Sequence, residues 1–156
     1  MNNILLVYDS KKGMTEKLGE LLKDNLSNVK MINIKDLNLD LSDYETIIIG
    51  SPVYIGRISK KVSKFIKQNK DLLLKKKTVF YLCGMNFQEE ELVIKNNFSE
   101  EEENKFFIKY LGGAYRFEKL NFLQKLVVKK IAGVTESQEI INESVLKQII
   151  SFIIGN

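Results

Sequence analysis

The chain has 156 residues, 44% of them hydrophobic and 28% charged, proportions that suit one folded domain. It has no histidine and one cysteine, Cys83, which excludes Ser-His-Asp and Cys-His catalysis, an internal disulfide, and zinc or iron–sulfur centres built from several thiolates. Any redox chemistry must therefore come from an organic cofactor, and the net charge of +4 suits a solvated lysine-rich surface better than a nucleic-acid binder.

Ile4 to Tyr8 is almost wholly apolar, as in a strand buried on both faces of a parallel sheet. Asp9 to Gly13 breaks that run. Leu18, Leu21, Leu22 and Leu26 then recur at helical spacing and predict a helix from about Thr15 to Leu26. Val29 to Ile34 predicts a second strand. Thr46 to Ile49 predicts a third, stopped at Gly50-Ser51-Pro52 by the only proline in the chain. Ile58, Val62, Phe65 and Ile66 mark a helix whose outer face carries Lys60, Lys61, Lys64 and Lys67. Thr78 to Cys83 predicts a fourth strand ended by Gly84, and Phe106 to Leu111 a fifth ended by Gly112-Gly113. Phe87 to Lys105 reads as a short helix and a polar loop. Phe122 to Ile131 and Ile141 to Ile153 predict two more helices.

Alternating strands and helices predict an α/β fold: a doubly wound, five-stranded parallel sheet, helices on both faces, in one domain over residues 1–156. No stretch reaches the roughly 20 apolar residues of a membrane span, and the first residues carry no basic leader, so a cytoplasmic protein is expected.

In an open α/β sheet, ligands sit beyond the carboxyl ends of the strands where strand order reverses. Three loops meet that edge. The first holds Ser10, Lys11, Lys12, Gly13, Met14 and Thr15 between a buried strand and a helix. Free amides at a helix start bind phosphate without a dedicated cation, and Ser10 and Thr15 add hydroxyls. The loop lacks the spacing of a Walker A motif and the glycines of a dinucleotide fingerprint. The alternative is a plain turn with Thr15 as helix cap. The second loop holds Ser51, Pro52, Val53, Tyr54, Ile55 and Gly56. Tyr54 is a flat ring that could stack on a planar ligand, or else a surface tyrosine. The third holds Gly84, Met85 and Asn86; Gly84 permits close backbone approach and Asn86 offers donor and acceptor. Cys83 reads as a buried strand residue and not a reactive thiol.

With these residues in place, the chain resembles the flavodoxin family, itself one of the examples behind the sheet-edge rule used above. The likeness rests on Ser10 to Thr15 and Gly50 to Gly56. Within that family it is similar to the branch containing menaquinone-dependent protoporphyrinogen oxidase, through Gly50 to Ile58, Tyr110 to Phe117 and Leu120 to Glu136. The resemblance implies the flavodoxin-like strand order 2-1-3-4-5 and noncovalent FMN held by the three loops, with electron or hydride transfer to a redox partner protein or a quinone. The departures are Lys11 and Lys12 where hydroxyl residues are usual, the absence of tryptophan, and a basic composition. The segment from Arg116 to Lys130 mixes aromatic and basic residues and could meet a membrane surface peripherally, or could be an ordinary surface helix. A phospho-receiver domain shares the strand order but needs a carboxylate after strand three and a lysine after strand five. Gly50-Ser51 and Gly112-Gly113 supply neither.

Overall fold

The computed structural model describes residues 2–11, 13–115, 123, 126 and 138–155. In chain order the elements are β1 (Ile4–Tyr8), α1 (Met14–Asp24), β2 (Val29–Asn33), β3 (Thr46–Tyr54), β4 (Arg57–Ile58), α2 (Lys60–Lys75), β5 (Lys77–Cys83), α3 (Glu90–Asn97), α4 (Glu100–Lys105), β6 (Phe107–Tyr115), β7 (Gln138–Ile141) and α5 (Glu143–Ile154). Short 3-10 turns stand at Ile34–Asp36, Leu41–Asp43 and Phe87–Glu89.

The sheet runs β2-β1-β3-β5-β6-β7, parallel except at β7, with β4 turned back on β3 as a hairpin. The five parallel strands stand in the predicted order. Alternation along each strand feeds two cores. On one face, Leu5, Val7, Ile47, Ile49, Phe80 and Leu82 pack on Val62, Phe65 and Ile66 of α2 and on Val93 of α3. On the other, Ile4, Leu6, Ile48, Val79 and Tyr81 meet Leu18 and Leu22 of α1 and Ile149 and Ile153 of α5. No helix among the described residues is long and apolar enough to cross a membrane.

The structure corrects four expectations. β3 does not stop at Pro52; Pro52 pairs with Cys83 and the strand runs on to Tyr54. Asp9 donates its amide to the Gly50 carbonyl, so Gly50 faces β1, and so does Pro52 two residues on. β1 has ended there, at Tyr8, so the missing proline N–H faces no ladder. β6 likewise runs through Gly112-Gly113. A Cβ at Gly113 would lie 2.4 Å from the Gly84 backbone, and one at Gly112 2.3 Å from the Ile140 carbonyl oxygen, so these glycines admit neighbouring backbones and do not end the strand. Third, the segment expected as a polar loop is α4, started by a capping box: Ser99 accepts from the Glu102 amide and Glu102 accepts from the Ser99 amide. Fourth, Ile141 belongs to β7, and the closing helix begins at Glu143, capped by Asn142. The expected helix from Phe122 to Ile131 lies outside the described residues, except that Leu123 and Leu126 are helical.

Tyr81 ties the sheet to α1. It is fully buried, and its hydroxyl donates to the Thr15 carbonyl at 2.8 Å. The ring lies over Gly50 and its tip against Gly19: a Cβ on Gly50 would sit 2.1 Å from Tyr81 Cζ, and one on Gly19 2.6 Å from the hydroxyl oxygen. Gly50→Ala is expected to destabilise the fold by about 1–3 kcal/mol in urea unfolding. The loss should shrink markedly in a Tyr81→Leu background, because the two sites share one space.

Candidate functional site

β1 has β2 on one side and β3 on the other, so the chain reverses its direction of winding between β1 and β3. The crevice expected for a ligand opens there, at the carboxyl edge. The first loop closes tightly over it. Gly13 takes the left-handed conformation, φ 90, and its amide donates to Ser10 Oγ at 3.1 Å. Ser10 Oγ is thus oriented as an acceptor and keeps its own proton to donate. α1 starts at Met14 behind Gly13, which has no side chain to cap it, and α3 also lacks a side-chain cap, whereas Ser59, Ser99 and Asn142 cap α2, α4 and α5. The dipole of α1 puts partial positive charge at this edge, which suits an anion.

Thr15 is not a helix cap: it is 2% exposed and lies in the first turn of α1, behind the Gly13 cap position. Met14 is buried in the α1 core, Lys11 is exposed, and Lys12 lies outside the described residues. Cys83 is buried as expected, and that burial pushes its thiol up to about 12.

The second loop is a β-hairpin with Tyr54 paired to Arg57 and two residues between them. Both lie at positive φ, Ile55 at 49 and Gly56 at 72, the signature of a type I′ turn. Glycine adopts this backbone freely. A β-branched isoleucine does so under strain on the order of 1–3 kcal/mol. Tyr54 and Ile55 are 77% and 84% exposed, so Tyr54 packs on no helix and the strained tip carries two bare apolar side chains. From below, Asn97 of α3 holds the hairpin, donating to the Gly56 carbonyl at 2.9 Å and accepting from the Ile58 amide at 3.2 Å. Val53 is half-buried and packs against the α2-side core.

The third loop leaves β5 at Gly84, whose amide bonds the Gly112 carbonyl at 2.9 Å. Met85 is half-buried, Asn86 is exposed, and Phe87 packs edge-on against Tyr110 with ring centroids 5.9 Å apart. Burial first, then Glu89 and Glu90, push the Tyr110 phenol up to about 12.

A buried polar chain joins the first two loops. Ser59 Oγ donates to the Asp9 carboxylate, which is 6% exposed, and accepts from the Val62 amide at 3.2 Å. The Ser59 amide donates to Ser51 Oγ at 2.9 Å, and Ser51 Oγ donates to the Pro52 carbonyl at 2.9 Å. The fully buried Ser51 side chain is thus committed internally, and at this edge Ser51 offers only its backbone. Sequence reading had missed Ser59, Asn97, Tyr81 and the partner of Asp9. Only Ser59 had a local signal, a serine just ahead of a helical pattern. No cluster of potential metal ligands occurs among the described residues.

Ser59→Ala should remove the α2 cap and strand the buried Asp9 carboxylate, lowering stability by about 2–3 kcal/mol in urea unfolding. Cys83 should resist iodoacetamide until the protein unfolds. The fold favours the protonated thiol, so its contribution to stability is full below the ordinary thiol value of 9.0 and is lost as pH rises towards about 12. Urea midpoints across that range, compared with Cys83→Ala, would show it.

Comparison with known proteins follows the same edge. A flavodoxin domain family model matches residues 5–141. A flavodoxin of Clostridium saccharobutylicum is 32% identical over 80 residues, covering 47% of this chain and 50% of that protein, so the match spans about half the length of that curated relative. The fold superposes on a Lactobacillus acidophilus flavoprotein in complex with FMN, with TM-score 0.54, 17% identity and coverage of 69% of this chain and 90% of that one. It also superposes on a Fusobacterium nucleatum flavodoxin bound to flavin mononucleotide, with TM-score 0.53, 15% identity and coverage of 72% and 71%. At these identities the structural likeness speaks for the fold, while the family match runs from β1 to β7: this chain belongs to the flavodoxin domain family.

Proposed function

We propose that this chain binds FMN noncovalently at the carboxyl edge and serves as an electron-transfer protein for redox partner proteins. The observation that carries the reading is the α1 start, held at the β1–β3 switch point behind a left-handed Gly13 that brings no capping side chain. Relatives of the same fold that are described as FMN complexes support it.

In this reading Ser10, Lys11, Lys12, Gly13, Met14 and Thr15 form the phosphate loop, with backbone amides and the Ser10 hydroxyl as donors. The backbone of Ser51 and Pro52 lines the ribityl path. Peptide groups from Val53 to Gly56 meet the polar rim of the ring, and Tyr54 supplies a flat face in a chain without tryptophan. Gly84, Met85 and Asn86 close the other side. Bound FMN would supply one- and two-electron chemistry; the residues position the ring, shield it from water and set the polarity around it.

A second reading, a quinone-linked oxidoreductase like menaquinone-dependent protoporphyrinogen oxidase, draws on one observation. Leu123 and Leu126 are helical, three residues apart, and 71% and 48% exposed within a basic stretch. Such a surface suits an apolar or membrane-borne substrate.

Titration of FMN with the purified chain should quench flavin fluorescence to a one-to-one end point; no quenching would overturn both readings. Ser10→Ala should weaken FMN about tenfold, roughly 1.4 kcal/mol, and leave riboflavin, which lacks the phosphate, nearly unchanged. Equal losses for both ligands would remove Ser10 from the phosphate site. Oxidation of protoporphyrinogen with menaquinone by the FMN-loaded chain would favour the second reading, and no turnover the first.

A further inference from the structure

α2 breaks a rule the other helices keep. α1, α3, α4 and α5 each carry glutamate in the first turn, where the helix dipole favours negative charge. α2 has no acid there and begins with Lys60-Lys61 directly after its Ser59 cap. Lys64 and Lys67 continue the stripe from Lys60 at helical spacing, and all four lysines are exposed. Arg57, also exposed, precedes them on β4. Among the described residues, no carboxylate stands within ion-pair distance of these five cations: the ion pairs are Lys17–Glu139, Lys70–Glu101, Lys95–Glu91 and Lys109–Glu90. Two of those pairs hold acids beside the third loop, while among the described residues the cations at the start of α2 have no acidic partner within ion-pair distance. Cations set against a helix dipole without partners oppose stability, and such breaks mark functional surfaces.

The stripe begins at the hairpin that exposes Tyr54 and Ile55. An apolar centre with a charged rim is the anatomy of a protein docking patch. We propose that the exposed Tyr54 and Ile55, together with Arg57 on the same hairpin and the Lys60, Lys61 and Lys64 stripe that follows it along the chain, form the docking surface for an acidic protein partner. Charge complementarity names the partner's chemistry. A membrane is the poorer match, because the apolar face of α2 (Val62, Phe65 and Ile66) is buried in the core and has nothing to insert. The inference rests on the FMN reading for its place in electron transfer, but acid recognition by the patch does not require the flavin.

The probe is a fluorescein-labelled polyglutamate peptide, read by anisotropy with the full chain, with and without added FMN. Binding should weaken steeply between roughly 20 and roughly 200 mM salt. The variant Lys60→Glu/Lys61→Glu/Lys64→Glu should lose about tenfold or more in affinity, while Lys23→Glu/Lys30→Glu/Lys147→Glu, with the same change in net charge on distant elements, should stay within about twofold. Equal losses in the two variants would reduce the effect to net charge and overturn the patch. Tighter binding to phosphatidylglycerol vesicles than to the peptide, abolished by the α2 variant, would overturn the protein partner in favour of a membrane. Peptide binding by a chain that ignores FMN would leave the patch standing and sink the flavin reading; a flavin-loaded chain that ignores the peptide would do the reverse. With FMN bound, the reduced chain should pass electrons to ferricyanide at a rate that falls as salt rises, and the α2 variant should be slower at low salt and lose that dependence; an unchanged rate and salt slope would overturn the patch.

Discussion

Tyr81 is the constraint on which the rest of the site depends. A fully buried tyrosine must satisfy its hydroxyl, and it does so on the Thr15 carbonyl in the first turn of α1. To reach that carbonyl the ring passes over Gly50 and ends against Gly19, two positions where a side chain would collide with it. One contact therefore couples the centre of the sheet, the adjoining strand and the start of α1. The first turn of α1 stands at the β1–β3 crevice because a phenol on β5 holds the helix there.

The second support is polar. Asp9 ends β1 and Ser59 begins α2, and the hydrogen bond between them ties the first loop to the root of the hairpin. Ser51 braces the same junction from β3, and Asn97 holds the hairpin from the side of α3. Because Asp9 and Ser51 are buried, Ser59 and Asn97 half-buried, and all four hydrogen-bonded within the protein, they brace the edge from beneath. The strain at Ile55 sits on this braced base. Backbone strain persists only where surrounding structure over-determines it, and here it holds two apolar side chains out into solvent.

Charge is distributed to match. Acids around the third loop are largely paired with lysines, while the lysines and arginine at the start of α2 are not. An edge that buries a flavin beside an apolar tip and a cationic rim would be built for brief encounters with an acidic surface, where electrostatics set the rate of association more than its strength.

The central strands were legible in the sequence because a strand buried on both faces must be a continuous apolar run, and Ile4–Tyr8, Thr46–Ile49 and Thr78–Cys83 are such runs; their order came with the family resemblance and not with the runs. The helices were legible through spacing, as at Leu18, Leu21 and Leu22. The three loops could be placed from those runs alone. β7 was not legible, since Gln138–Ile141 lies exposed at the sheet edge and carries no alternation. The passage of β3 through Pro52 and of β6 through two glycines was hidden too, because whether a proline or glycine ends a strand depends on which neighbour stands beside it. The same holds for Tyr81, Asn97 and the Asp9–Ser59 pair, whose partners are 66, 41 and 50 residues away along the chain. Local pattern determined which elements form and where the edge lies. Tertiary contact alone decided which groups brace that edge and which remain available, because burial and hydrogen-bond satisfaction are properties of the assembled sheet and not of any one segment.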